Sequence, residues 1–222
     1  MMQYNQSSNR LLAACSLFHP CECIADIGSD HGMLPLMLVK SGLAKRVIVS
    51  DISEKALQRA VNLFTAEKAV AAARFYVSDG LSHLDEPVNA ISITGLGGDT
   101  IIKIIKRGMS KCLDSPLVLS PHTSLQAVRL EITNMGYQIV TEKLVHENRR
   151  FYVLMRFEKG DAHYSEAELL LGPCLMKERN SLFDSYLAWR KQVLFRAGAE
   201  QIWADKALKE AYNTILEVEK CL

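Results

Sequence analysis

Several features that would announce a function are missing from this 222-residue chain. No stretch approaches the ~18 consecutive apolar residues that a membrane-spanning helix needs, so no membrane association is expected. The segment "LAAC" (Leu12 to Cys15) has the small-residue look of a lipid-attachment box, but neither a basic nor an apolar region precedes it. Without those regions it does not read as an export signal, and a cytoplasmic location is expected. The six cysteines form no C-x-x-C, which points to a reducing compartment. His19, Cys21 and Cys23 lie close together, yet no second pair follows at zinc-site spacing, and no metal is expected. Neither sign of charge dominates, with 26 Lys+Arg against 25 Asp+Glu. The net charge alone therefore identifies no nucleic-acid partner. The dinucleotide turn G-x-G-x-x-G is absent too, and internal repeats and low-complexity segments are not evident.

What is present is a chain 49% hydrophobic, able to bury a full core. From residue 9 to about 157, short Ile- and Val-rich runs alternate with helix-period segments, the pattern of an α/β fold. Strands are expected at "CIADIG", "RVIVSDI", "ARFYVSDG", "VNAISITG", "PLVLSP", "YQIVTEKLVHE" and "RFYVLMRFE". The last two are joined by "ENRR", too short for a helix, so they pair antiparallel, while the others are parallel. Seven strands ending in an antiparallel hairpin suit a Rossmann-like class I methyltransferase domain over residues 1–160. Residues 161–222 contain no further strand-like run. Ser165 and Glu168 have capping-box spacing, and Gly172-Pro173 breaks the chain. Leu182, Tyr186, Trp189 and Val193 form one stripe; Leu208, Ala211, Ile215, Val218 and Leu222 form another. With "RAGAE" as the turn between them, this part reads as an antiparallel, coiled-coil-like helical hairpin. The aromatic stripe is read first as the hairpin's own seam, otherwise as a surface for RNA or a partner subunit.

The first turn is Asp26-x-Gly28-x-Asp30-x-Gly32, with one acid before the first glycine and another inside the loop. Carboxylates beside a pyrophosphate repel it, by several tenths to a few kcal/mol depending on solvation. A cationic ligand without phosphate fits better, and S-adenosylmethionine, with a sulfonium and an ammonium, is such a ligand. Asp51 ends the second strand, where a carboxylate can accept the ribose hydroxyls of an adenosine. Asp79, beside Gly80, ends the third. Taken singly, each acid is also a common turn or cap residue. Ligands of open α/β sheets nevertheless bind at such strand ends. The fourth strand runs into "TGLGGDT", where Gly95, Gly97 and Gly98 would admit a flat ring beside Leu96. No acid or Asn followed by Pro-Pro and an aromatic stands there, which suits a nucleophile needing no base, such as adenine N1. A glycine turn needed only for packing is the alternative.

"IADIGSDHGMLP", "SDIS", "SDGL", "ITGLGG" and "ENRRFYVLMRFE" together resemble the bacterial tRNA adenine-N1 methyltransferases that act on adenine 22 of tRNA. The resemblance runs from about Asn9 to the C-terminus. It implies S-adenosylmethionine as donor, tRNA as partner, and 1-methyladenosine as product. It places Asp26, Gly28, Asp30, His31 and Gly32 at the donor's methionine end, Asp51 at the ribose, and Asp79 and Gly80 at the adenine, with Ile52 also among the cofactor-binding residues. Gly95, Leu96, Gly97 and Gly98 would then face the target base. The chain departs from the family pattern at Gly32-Met33, where Ala-Tyr is usual, and at Ser120-Pro121-His122, where Gln-Pro-Asn is usual. Glu147, Asn148, Arg149 and Tyr152 fall in the matching hairpin, with a substrate-facing or a turn role. Lys103, Lys106, Arg107 and Lys111 are either phosphate contacts or solvated helix faces. A monomer is the expectation. The other readings are a class I methyltransferase for another RNA base or a small molecule, a non-catalytic nucleic-acid-binding scaffold, and a nicotinamide-dependent oxidoreductase.

Overall fold

The computed structural model describes residues 8–112, 114–200 and 205–220. It divides into two compact units, residues 1–162 and 163–222. In the first unit the apolar runs form β1 (Cys21–Ile27), β2 (Ala44–Asp51), β3 (Ala73–Val77), β4 (Ala90–Thr94), β5 (Leu117–Ser120), β6 (Tyr137–Glu147) and β7 (Arg150–Lys159). Between them lie α2 (Met33–Lys40), α3 (Glu54–Ala66), α4 (Gly98–Arg107), α5 (Met109–Cys112) and α6 (Leu125–Asn134). The seven strands form one sheet in the order β3-β2-β1-β4-β5-β7-β6. β1 to β5 are parallel, and β7 runs antiparallel to both β5 and β6.

The strand pattern follows from burial. β1, β4 and β5 are covered on both faces, so nearly every residue is buried and the sequence reads as an unbroken apolar run. β3 stands at the edge and has no fully buried residue. Ser53 opens α3 by accepting the Ala56 N–H on its hydroxyl at 3.2 Å. Among the described residues one charged pair lies wholly inside: Arg129 of α6 and Glu142 of β6 are both 0% exposed, with Nε and Nη2 each 2.9 Å from Oε1.

A short helix, α1 (Asn9–Cys15), precedes the sheet. The "LAAC" segment is its last part, and Cys15 sits in the core, where burial pushes its thiol pKa up to about 11.

The second unit contains α7 (Glu166–Leu171), α8 (Pro173–Glu178), α9 (Ser181–Glu200) and α10 (Lys206–Lys220). The Ser165–Glu168 capping box is present, and Pro173 starts α8. Two sequence expectations need correction. "RAGAE" is not a turn, because α9 continues through it to Glu200. Arg, Ala and Glu are strong helix formers, and the single Gly198 costs only about 1 kcal/mol relative to Ala, too little to stop a long helix. The buried flank of α9 is Phe183, Tyr186, Leu187 and Leu194, whereas Trp189 and Val193 are 36% and 38% exposed. The apolar arc is broader than a two-helix seam, so heptad spacing alone picked its edge. On α10, Ile215 is buried and Leu208, Ala211 and Val218 are half-buried, and Leu222 lies outside the described residues. Lys191 Nζ meets Glu219 Oε2 at 2.6 Å, and the Phe195 and Tyr212 rings lie 5.9 Å apart.

Candidate functional site

Chain order reverses in the sheet between β1 and β4, and the loops leaving their C-terminal ends part to leave a crevice. The register sets Asp26 opposite Ser92, whose hydroxyl donates to the Asp26 carboxylate. Asp26 is 3% exposed. Burial pushes its pKa up to about 6, and the nearby Asp51 charge adds to the rise, while hydroxyl hydrogen bonds oppose it. No cation among the described residues forms an ion pair with Asp26.

That environment gives a prediction with two signs. The raised pKa means the folded chain binds the Asp26 proton more tightly than the unfolded chain, so stability falls as pH rises from about 4 to about 6. Asp26→Asn is therefore expected to stabilise the ligand-free protein at pH 7 by about 1–3 kcal/mol. The gain should vanish below about pH 4, where both states are protonated. Urea denaturation at the two pH values checks this, and an equal effect at both would refute it.

Asp51 is held at the end of β2. Its Oδ2 accepts the Asp30 N–H at 3.1 Å and its Oδ1 accepts the Ser53 N–H at 2.8 Å. A carboxylate oxygen has two lone pairs, so each retains acceptor capacity toward the cleft. Asp30 faces differently: its carboxylate pairs with Arg59 of α3 and with His31 Nε2, the latter at 3.3 Å. The open cleft has a volume of about 560 Å³, in the range of small-ligand sites. Asp26, Gly28, Asp30, His31, Asp51, Gly95 and Leu96 all line it. Met33, Ser53 and Arg59 contribute as well, and Arg10, Leu11 and His122 are among the remaining lining residues.

The other expected residues lie outside this lining. Gly32 sits beneath the loop at φ +70°, where an added Cβ would come within 2.7 Å of the Ala60 Cβ. It lets the first turn rest directly on α3. Gly97 caps α4, and Gly98 is buried under the next loop, where a Cβ would lie 2.4 Å from the Thr123 carbonyl oxygen. Gly98 is thus a packing glycine rather than a surface for a base; Gly95 and Leu96 are the members of that segment that line the cleft. Asp79 and Gly80 line a separate cavity of about 190 Å³ with Leu81, Ile104 and Arg107. The Asp79 carboxylate meets Arg107 at 3.4 Å, an exposed pair of little energetic weight. Ile52 is 72% exposed.

The basic segment is largely spoken for. Lys106 pairs with Glu131, Arg107 with Asp79, and Lys111 with Asp85. In the β6–β7 hairpin, Asn148 and Arg149 have φ of +51° and +62° and form the tight turn. Both Glu147 carboxylate oxygens share the single proton of the Ser8 hydroxyl, and Oε2 also accepts the Arg10 N–H, tying α1 to the sheet.

Arg10, Leu11 and Arg59 were not singled out as site residues from sequence. The only local signal for Arg10 was its place at the head of a short amphipathic segment, "NRLLAAC". Arg59 gave none, because its partner Asp30 is 29 positions away. Among the described residues, no group of three or more His, Cys, Asp or Glu is placed to hold a metal, and no helix is long and apolar enough to cross a membrane.

Residues 24–219 match the family model described as tRNA (adenine(22)-N(1))-methyltransferase. A Bacillus subtilis (strain 168) protein of that name is 30% identical over 186 residues, covering 79% of this chain and 77% of the relative. The structure of Streptococcus pneumoniae Sp1610 in complex with S-adenosyl-L-methionine superposes with a TM-score of 0.87 at 28% identity, covering 96% of this chain and 99% of the other. That of M. capricolum TrmK with S-adenosyl-homocysteine does so with a TM-score of 0.82 at 27% identity, covering 96% of each. With a match spanning nearly all of its sheet and its helical C-terminal part, this chain belongs to the tRNA (adenine(22)-N(1))-methyltransferase family.

Proposed function

We propose that the cleft at the β1/β4 switch point binds S-adenosylmethionine and that the chain transfers a methyl group to N1 of adenine 22 in tRNA. The observation that carries this reading is Asp26, a buried carboxylate with no cationic partner among the described residues, facing the same cleft as Asp51. A cationic adenosine derivative satisfies both acids, whereas a dinucleotide would bring phosphates to them. Bound there, S-adenosylmethionine supplies an electrophilic methyl on a sulfonium.

The residues divide the work along the cleft. Asp51 accepts the ribose hydroxyls with its remaining lone pairs. Asp26, with Gly28, faces the cationic methionine end. Asp30, paired with Arg59 of α3 and with His31, holds the loop on α3, with Gly32 allowing the close approach. The Ser78 N–H donates to the Asp51 carbonyl at 2.9 Å, so Asp79 and Gly80 follow directly from the ribose site. Leu81 and Ile104 offer apolar walls for an adenine there, and Ile52 offers an exposed apolar face. Gly95 and Leu96 border the place for the target base. Adenine N1 carries a free lone pair, so the chain's task is alignment and exclusion of water rather than proton removal.

For the tRNA, we read α9 and α10 as an antiparallel hairpin: partners of rising number on α9 meet falling numbers on α10, Lys191 with Glu219 and Phe195 with Tyr212. The target adenine must leave its stack to enter the cleft. The test is methyl transfer from labelled S-adenosylmethionine to unmodified tRNA. Label should enter tRNA with adenine at position 22 and not the same tRNA with guanine there; equal labelling of both would overturn the site assignment.

A further inference from the structure

A base drawn out of its stack is commonly held between aromatic or apolar side chains. The segment after β4 provides no aromatic ring, since Gly95–Gly98 has only Leu96 as a side chain. A ring reaches the same place from the next loop. The Gly95 N–H donates to the Ser120 carbonyl at 3.1 Å, and the His122 N–H donates to the Leu96 carbonyl at 2.9 Å. The loops after β4 and β5 are thereby fastened together, and His122 lines the cleft beside Leu96.

The His122 ring is braced. Tyr152 of β7 meets it edge-on with centroids 6.1 Å apart, and Tyr152 is itself packed against the core. Arg10 of α1 lies over the Tyr152 ring at 4.9 Å and places its Nη1 3.4 Å from His122 Nε2. His122 is an exposed residue that lines the cleft. We propose that His122 is the stacking partner of the target adenine, held in place by Arg10 and Tyr152. This rests on the methyltransferase reading above.

The chemistry of the product favours this ring. When the N1 lone pair forms its bond to the methyl carbon, the carbon–sulfur bond breaks with its electrons passing to sulfur, and the positive charge moves onto the purine. A neutral aromatic face attracts such a cation, whereas a protonated imidazole would repel it. The charged groups facing His122 are Arg10 from α1 and Arg150 from β7; Glu147 of β6 is engaged with Ser8 and the Arg10 backbone. Partial burial, then these two guanidinium groups, hold the imidazole below the ordinary histidine pKa. In the neutral ring Nε2 accepts from Arg10 and Nδ1 carries the proton.

The experiment compares His122→Ala, His122→Gln and His122→Phe in full-length protein, with S-adenosylmethionine and unmodified tRNA. Loss of one base-stacking contact is expected to lower kcat/KM for tRNA roughly 5- to 150-fold in the Ala and Gln variants. The Phe variant is expected to stay within about threefold of the unaltered protein. Donor Kd, read by calorimetry, should change little in all three. Retention by Gln with loss by Phe would show a hydrogen-bonding role and overturn the proposal. So would normal tRNA kinetics in the Ala variant, or a donor Kd that weakens in step with kcat/KM. Absence of methylation by the unaltered protein would remove the methyltransferase reading and this one with it, whereas the variant pattern removes this one alone.

Discussion

Asp51→Ala is expected to weaken S-adenosylmethionine binding by at least about 100-fold, with the fold retained. A hydrogen bond to a charged group contributes about 1.5–3 kcal/mol, and this carboxylate is positioned to accept two ribose hydroxyls. The sum, about 3–6 kcal/mol, exceeds the ~2.7 kcal/mol that separates two decades in Kd. A second effect acts in the same direction. The Asp51 oxygens also fix the Asp30 and Ser53 backbone N–H groups, so their loss loosens the loop that borders the cleft. Asp51→Asn should fall between the two, because an amide keeps one acceptor oxygen but turns N–H donors toward one of those backbone N–H groups. Calorimetric titration with the donor measures all three. A loss below about tenfold in the Ala variant would mean that Asp51 shapes the loop but does not hold the ligand.

The largest effect on stability should come from a place remote from the cleft. Arg129→Ala leaves the Glu142 carboxylate buried without its guanidinium, and breaking such a pair costs about 3–5 kcal/mol. That is a large part of the 5–15 kcal/mol by which domains are stable. The penalty comes from removing the guanidinium beside a buried charge, since a buried ion pair gains little net energy over apolar residues of similar shape. Arg129→Met combined with Glu142→Leu should therefore be much less damaging than Arg129→Ala alone. Urea midpoints of the two variants decide this, and a double variant worse than the single would show that the pair itself supplies the stability.

The contrast between these sites also explains what was legible in the sequence. β1, β4 and β5 were readable because parallel strands covered on both faces are apolar throughout, and the β6–β7 hairpin because "ENRR" leaves no room for a crossover. Asp26 and Asp51 were readable because they stand directly at strand ends, where the fold puts ligands. The rest depended on partners distant in the chain. Asp30 was legible as a residue of the cleft, but its pairing with Arg59, 29 positions away, was not. Gly98 looked like part of the base surface, but the Thr123 backbone covers it. Arg10 had no visible role until the fold brought in His122, 112 positions away. In α9, one Gly was too weak a signal for a turn, and spacing alone did not tell which side of a broad apolar arc is buried.

The cleft is expected to methylate a nucleophile needing no base, adenine N1, and not the exocyclic amine. The most direct test is nucleoside analysis of tRNA methylated by the purified protein, under mild conditions that do not rearrange the product. The expected result is 1-methyladenosine, mapped to position 22. N6-methyladenosine as the primary product, or 1-methyladenosine at another position, would contradict it.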